Sequence, residues 1–146
     1  MTDSTSNTAR KRPVFRNIHI TQIVSYRLPP AGIVSILHRV SGFVMFLLLP
    51  GVIWMFDNSI STEISYGAFT NVFVAGVGVL PGWFFKLVVL GLLWAFLHHA
   101  IAGLRHLWMD ATHSVSKEQG HNSALVTLVG SVALTVLLGA KLFGLY

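Results

Sequence analysis

The sequence predicts an all-α membrane protein with three transmembrane helices in a bundle. Of its 146 residues, 53% are hydrophobic and only 10% are charged, whereas soluble domains average about 25% charged residues. A helix needs about 20 residues to cross the hydrocarbon core, and three apolar stretches are each long enough. Together these features favour one transmembrane domain, residues 13–146, behind a short disordered basic tail, residues 1–12.

The absence of cysteine excludes disulfides, cysteine-ligated zinc, iron–sulfur clusters and covalently attached haem. The formal net charge of +5 comes mostly from the start of the chain. Its cations there are Arg10, Lys11, Arg12, Arg16, Arg27 and Arg39. This bias predicts a cytoplasmic N-terminus rather than a nucleic-acid partner. The bacterial inner membrane is the expected location, and the mitochondrial inner membrane is the second choice because Asp3 is unusual in a presequence.

Residues 13–30 are too polar and proline-rich to span, and we expect them on the membrane surface. Pro29-Pro30 suits the start of a helix. The first span is predicted over residues 31–56, with its polar end at the cytoplasmic interface. Within it, Pro50 is expected to kink the helix rather than end it.

Residues 57–82 contain no lysine or arginine and are expected outside. The second span is predicted over residues 83–109, with Trp83 and Trp108 as interfacial anchors. A short polar loop, residues 110–122, then belongs inside.

The third span, predicted over residues 123–143, is rich in valine, leucine and glycine, which is typical of a packing or lipid-facing helix without chemistry. Three spans bring the start of the first helix and the end of the second to the same membrane face.

The end of the second span concentrates polar residues in an apolar run. In a helix, His99, Gly103, His106 and Asp110 form one stripe, whereas His98 points about 100° away. Counted from Asp110, His99 lies roughly 16 Å deep, where an unpaired imidazole is costly. We expect a cofactor ligand there, with Gly103 as clearance for a flat group; the alternative is a hydrogen bond to a neighbouring helix.

The first span carries a second polar group in its opening turns. Ser35 and Arg39 lie four residues apart, flanked by His38. Such intramembrane polar residues are functional hypotheses, although Arg39 and Arg105 are also explained as interfacial charges. Topology gathers both groups near the cytoplasmic interface.

Haem iron suits this set better than a bare metal ion, because it needs only one imidazole per axial position. His99 and His106 are about 10.5 Å apart along the helix, so one ligates. We expect His99 to ligate, with Arg105 and His106 near the haem propionates. His38 is judged too shallow to face His99, so a partner chain is expected to supply the other axial ligand.

Two motifs carry a resemblance to a known family. Ser35-Ile-Leu-His38-Arg39-Val-Ser-Gly42 resembles the S-x-x-H-R-x-[ST]-G signature of the cytochrome b membrane-anchor subunit of succinate dehydrogenase, respiratory complex II. The stretch from His99 to Asp110 resembles that family's second signature, and Arg12-Pro13 its N-terminal Arg-Pro. The similarity covers residues 12–145.

This resemblance implies a b-type haem held between two small anchor subunits, with His99 as this chain's axial ligand. It implies that Ser35 and Arg39 line a ubiquinone site, that His38 is close to haem and quinone, and that Arg105 and His106 lie near the propionates. The implied partners are a second membrane-anchor subunit, an iron–sulfur subunit, a flavoprotein and membrane lipids.

The chain is not expected to be the dehydrogenase itself, since it has no flavin or dinucleotide fingerprint and no complete active site. One alternative is the anchor of a fumarate reductase or another quinone-linked respiratory enzyme, which runs similar parts in the opposite direction. Another is a non-catalytic assembly subunit whose histidines only bind neighbouring helices.

Overall fold

The computed structural model describes residues 19, 21–22, 26–113 and 116–146. In these ranges the chain forms four helices: α1, Pro30–Ile60; α2, Glu63–Val74; α3, Gly82–Thr112; and α4, Lys117–Leu142. By length and composition, α1, α3 and α4 are able to cross a membrane. The predicted all-α membrane fold with three spans is therefore confirmed. The tail predicted for residues 1–12 and the Arg12-Pro13 pair lie outside the described residues.

The first and second spans belong to helices that are longer than a bilayer requires. α1 and α3 have 31 residues each, or about 46 Å, against a hydrocarbon thickness of about 30 Å. α1 begins at Pro30 after an extended Pro29 and continues through Pro50, so the internal proline does not end it. Its missing hydrogen bond is tolerated in a membrane helix.

The turn between α3 and α4 is shorter than the loop expected at residues 110–122. α3 continues to Thr112, and α4 begins at Lys117. A capping box starts α4: Ser116 accepts a hydrogen bond from the Gln119 backbone at 3.2 Å, and the Gln119 side chain accepts from the Ser116 backbone at 3.3 Å. Polar helical turns therefore extend the apolar span.

The segment between the first two spans contains the helix α2, which the sequence does not predict. A capping box between Thr62 and Ser65 starts it. The Thr62 hydroxyl accepts from the Ser65 backbone at 3.1 Å, and the Ser65 hydroxyl accepts from the Thr62 backbone at 2.9 Å. The stronger sequence signal for such a box has Glu or Gln in the third helical position, which explains why the helix was missed.

α3 is the central helix, since its contacts with α1 and with α4 are each more extensive than the contact between α1 and α4. Most of the buried residues at these contacts are small, which lets membrane helices approach closely. The buried residues of the three long helices are Val34, Ser41, Gly82, Ala95, His98, Ala102, Arg105, Ala124, Thr127, Ser131, Thr135 and Gly139. Val34 of α1, Ala102 of α3 and Ala124 of α4 form one buried cluster. This cluster sets the register of the bundle near the end where α1 begins, α3 ends and α4 begins, which we call the histidine end.

Candidate functional site

Three histidines meet at the interface between α1 and α3. The ring of His38 stacks on the ring of His99, with centroids 4.2 Å apart and planes 28° apart. His38 also contacts His106, at 5.4 Å between centroids. We call His38, His99 and His106 the histidine cluster.

The expectation that His38 is too shallow to face His99 is therefore wrong. The depth of His99 counted from Asp110 along α3 does not fix how far along α1 His38 lies. The structure instead packs Val34 against Ala102. His38 follows Val34 by about one helical turn, and His99 precedes Ala102 by about one helical turn. Because α1 and α3 run antiparallel, these two steps go in the same direction and bring His38 level with His99.

The His99 ring is held by the backbone of α1. Its Nδ1 lies 3.0 Å from the carbonyl oxygen of His38 and 3.3 Å from the Ser41 hydroxyl oxygen. Because a carbonyl only accepts, Nδ1 carries the proton and donates. His99 is half-buried, and its Nε2 makes no hydrogen bond within the part of the chain that the structure describes. The unprotonated Nε2 is thus left available to a ligand from outside the chain.

Glycine clears space beside the cluster at two positions. A Cβ added at Gly42 would lie 3.0 Å from His99 Cε1 and 3.3 Å from His99 Nδ1, which is tighter than most real contacts. A Cβ at Gly103, the glycine expected to provide clearance, would meet only His38 Nε2, at an ordinary 3.8 Å. Within the chain, Gly42 is therefore the glycine that the histidine packing needs. The clearance that Gly103 provides for a porphyrin stays a prediction.

Ser35 and Arg39 lie one turn apart on α1, at the histidine end. The Arg39 side chain is exposed, and Ser35 is half-buried. Neither side chain forms a hydrogen bond or ion pair with the described residues. Both side chains are therefore free to donate hydrogen bonds to a molecule outside the chain. Because they flank His38 on α1, such a molecule would lie beside the histidine cluster.

Two other polar residues of α3 face α4 instead. His98 is fully buried; its Nδ1 lies 3.2 Å from the Ser131 hydroxyl oxygen, and its ring stacks on Trp94 at 5.5 Å. Arg105 is 9% exposed and donates from Nε to the Ser123 hydroxyl at 2.9 Å. It also donates from Nη2 to a backbone carbonyl at the start of α4, 3.2 Å away.

Arg105 is thus not brought to the histidine cluster, although the sequence places it next to His106. It follows His98 by seven residues, or two helical turns, and so shares the side of α3 that packs against α4. The contact of Arg105 with haem propionates stays a prediction. Within the described residues, no three His, Asp or Glu side chains are placed to hold a metal ion between them.

Comparison with known proteins identifies the family of the chain. Residues 8–138 match the family model described as "Succinate dehydrogenase/Fumarate reductase transmembrane subunit". Because this match covers most of the chain, the protein belongs to the family of transmembrane subunits of succinate dehydrogenase and fumarate reductase.

The relatives point to the cytochrome b branch of that family. The chain is 35% identical to the succinate dehydrogenase cytochrome b556 subunit of Paracoccus denitrificans, over 77% of this chain and 81% of the relative. The subunit of the same name from Coxiella burnetii is 36% identical over 88% of this chain and 94% of the relative. A third, from Rickettsia felis, is 25% identical over 94% and 98%. The resemblance inferred from the two motifs is confirmed, and the chain is a multi-pass membrane protein of this kind.

Proposed function

We propose that this chain is the haem b-binding membrane anchor of a succinate dehydrogenase and that it helps to form the site where ubiquinone is reduced. The observation that carries the proposal is the state of His99. Its Nδ1 donates to the His38 carbonyl at 3.0 Å, and its Nε2 has no partner among the described residues. Metal-bound imidazoles are usually held in this way: the N–H nitrogen donates to a backbone carbonyl, a carboxylate or water, and the other nitrogen binds the metal.

The residues around His99 fit a haem. A haem needs one imidazole per axial position and polar groups at its propionate edge. His106 lies nearer the histidine end than His99 on the same side of α3 and suits a propionate contact. Arg105 can join it only by giving up a bond to α4, so we assign that edge to His106 first. When bound, the haem would supply one-electron redox chemistry, and this chain's residues would orient it.

A partner subunit follows from the same geometry. Within the cluster, His99 is the histidine whose ring is fixed by the backbone through one nitrogen, whereas b-type haem in an electron carrier takes two axial ligands. The apolar side chains of Phe43, Leu47 and Phe96 are 59–63% exposed, which supports a covering by lipid or by another apolar chain. A second small membrane-anchor subunit would supply the other ligand.

The quinone site is proposed at Ser35 and Arg39. Their side chains can donate hydrogen bonds to a quinone carbonyl and stabilise the charge that develops on reduction. Electrons would come from the flavoprotein through the iron–sulfur subunit, which must dock at the histidine end. We place this end at the cytoplasmic face of a bacterial inner membrane, because Arg27 and the basic tail precede the first span and Arg39 lies in its opening turns.

The haem proposal is tested by the visible spectrum of the complex purified in detergent. We expect b-type absorption bands in the wild type and their loss in His99→Ala. His121→Ala is the matched control, since His121 is an exposed histidine at the start of α4, and its bands should be unchanged. A wild-type complex without b-type bands contradicts the proposal, as do bands that persist in His99→Ala.

The quinone site is tested with two electron acceptors. Ser35→Ala and Arg39→Leu should slow ubiquinone reduction while succinate oxidation by an artificial soluble acceptor continues at the wild-type rate. Equal loss in both assays would instead favour the assembly-subunit alternative. Running the assays with fumarate and a reduced quinone determines whether the complex works in the opposite direction, as the fumarate reductase alternative requires.

A further inference from the structure

Two residues of the first motif have no role in the function proposed above. Ser41 and Gly42 lie directly after His38 and Arg39 on α1, at the contact with α3. Ser41 is fully buried, and Gly42 is half-buried. Of the described residues, these two and His38 are the ones that surround His99 Nδ1 and the adjoining ring edge.

Gly42 gives the His99 ring access to the α1 backbone. A helical carbonyl points toward the residue four positions later, so the carbonyl of His38 points toward Gly42. A side chain at this position would lie 3.0 Å from His99 Cε1. The neighbour that would have to move is an imidazole ring whose Nδ1 is already hydrogen-bonded to the same stretch of backbone.

Ser41 contributes a second acceptor for the same nitrogen. Its hydroxyl donates to the His38 carbonyl at 2.9 Å, which leaves its oxygen lone pairs for other donors. That oxygen lies 3.3 Å from His99 Nδ1. The Nδ1 proton is therefore shared between the His38 carbonyl and the Ser41 hydroxyl.

We propose that Ser41 and Gly42 are positioning residues for the haem ligand, which hold the His99 imidazole against α1 with Nδ1 protonated and Nε2 free. The inference rests on the haem-binding function proposed above. Ser41 also raises the electron-donating strength of the imidazole, because a hydrogen bond accepted from Nδ1–H increases the basicity of the ligating nitrogen. Residues of the first span thus orient the haem-ligating imidazole, which belongs to the second span.

The experiment uses the whole purified complex and two pairs of variants. Gly42→Ala is paired with Gly51→Ala, a glycine of the same helix where an added Cβ meets nothing within 4 Å. Ser41→Ala is paired with Ser59→Ala, whose hydroxyl donates to the carbonyl three residues earlier at 2.7 Å, as that of Ser41 does, but away from the histidines. The readouts are haem content, the electron paramagnetic resonance signal of the ferric haem, and its midpoint potential.

We expect Gly42→Ala to lower the haem affinity of the complex about tenfold or more and to alter the ferric signal. Gly51→Ala should match the wild type in both. Ser41→Ala should keep its haem but shift the midpoint potential to more positive values, because a weaker donor stabilises the ferric state less. Ser59→Ala should leave the potential unchanged.

The inference is overturned if Gly42→Ala and Gly51→Ala have the same haem content and signal, or if Ser41→Ala keeps the wild-type potential. Should Gly42→Ala fail to assemble, the potential of Ser41→Ala decides. A wild-type complex without b-type haem contradicts the proposed function itself, whereas a haem-containing wild type with unaffected variants contradicts only the positioning role.

Discussion

The two sides of α3 carry similar polar residues and use them differently. On the side that packs against α4, Nδ1 of His98 and Nε of Arg105 are hydrogen-bonded to Ser131 and Ser123, while His98 Nε2 is buried without a partner among the described residues. On the side that packs against α1, His99 stacks on His38 and keeps Nε2 free of described partners. Two adjacent histidines therefore have unlike surroundings, because successive helical residues are rotated by about 100°.

This difference separates packing from function among polar groups within a membrane. A polar side chain that costs several kcal/mol to insert must recover that free energy in some contact. Toward α4, His98 Nδ1 and the Arg105 guanidinium make that contact within the chain. Ser35 and Arg39 of α1 and Nε2 of His99 have no hydrogen-bond partner within the described residues, and all three residues are at least partly exposed, so a molecule outside the chain can reach them. Polarity identifies the candidates, and the proposed site is distinguished by hydrogen-bonding capacity that is both unused and accessible from outside the chain.

The largest expected difference between the two sides is between His98→Ala and His99→Ala. His98→Ala should keep the b-type spectrum of the assembled complex while lowering its stability by about 2–5 kcal/mol, the usual range for emptying a buried site. His99→Ala should remove the spectrum. Visible spectra of the two purified complexes, with thermal dissociation followed in parallel, measure both effects. Loss of the b-type bands in His98→Ala would contradict the division of roles.

A smaller effect is expected at Arg105. Arg105→Met should destabilise the complex by about 1–3 kcal/mol, because the Ser123 hydroxyl and a backbone carbonyl of α4 lose a charged donor. The midpoint potential of the haem should not change. If Arg105 instead contacts the propionates, the potential will shift with little loss of stability, so thermal dissociation and redox titration together distinguish the two roles.

The smallest effect is expected where α4 comes close to α3. A Cβ added at Gly139 would lie 2.6 Å from Leu90 Cδ1, the far end of a flexible side chain. Gly139→Ala should therefore cost about 1 kcal/mol, at the low end for overpacking, with no change in the haem spectrum. Gly130→Ala is the control, since an added Cβ there meets nothing within 4 Å. Equal stability of the two variants would show that this contact adapts freely.

The sequence was sufficient to predict the membrane class, the three spans and the family. These follow from one-dimensional properties: the length of apolar runs and two motifs whose residues lie within a few turns of each other. It failed for α2, whose capping box uses a serine in place of the usual Glu or Gln.

For the site, the sequence identified the face that carries His99, Gly103 and His106, since helical periodicity alone groups them. The same periodicity places Arg105 on the side of α3 that carries His98. The sequence prediction instead groups Arg105 with its neighbour His106 as contacts of the haem propionates. Ser41 and Gly42 belong to the first motif, but the sequence predicts no role for them, because their contact with the His99 ring depends on how α1 and α3 pack.

The tertiary structure decided how α1 and α3 are aligned. A sequence gives the rise along each helix but not the offset between two helices, which depends on where small side chains let the backbones approach. Here the packing of Val34 on Ala102 sets that offset and brings His38 level with His99. The sequence alone therefore determined which residues carry the polar chemistry, and the contact between the helices decided which of them act together.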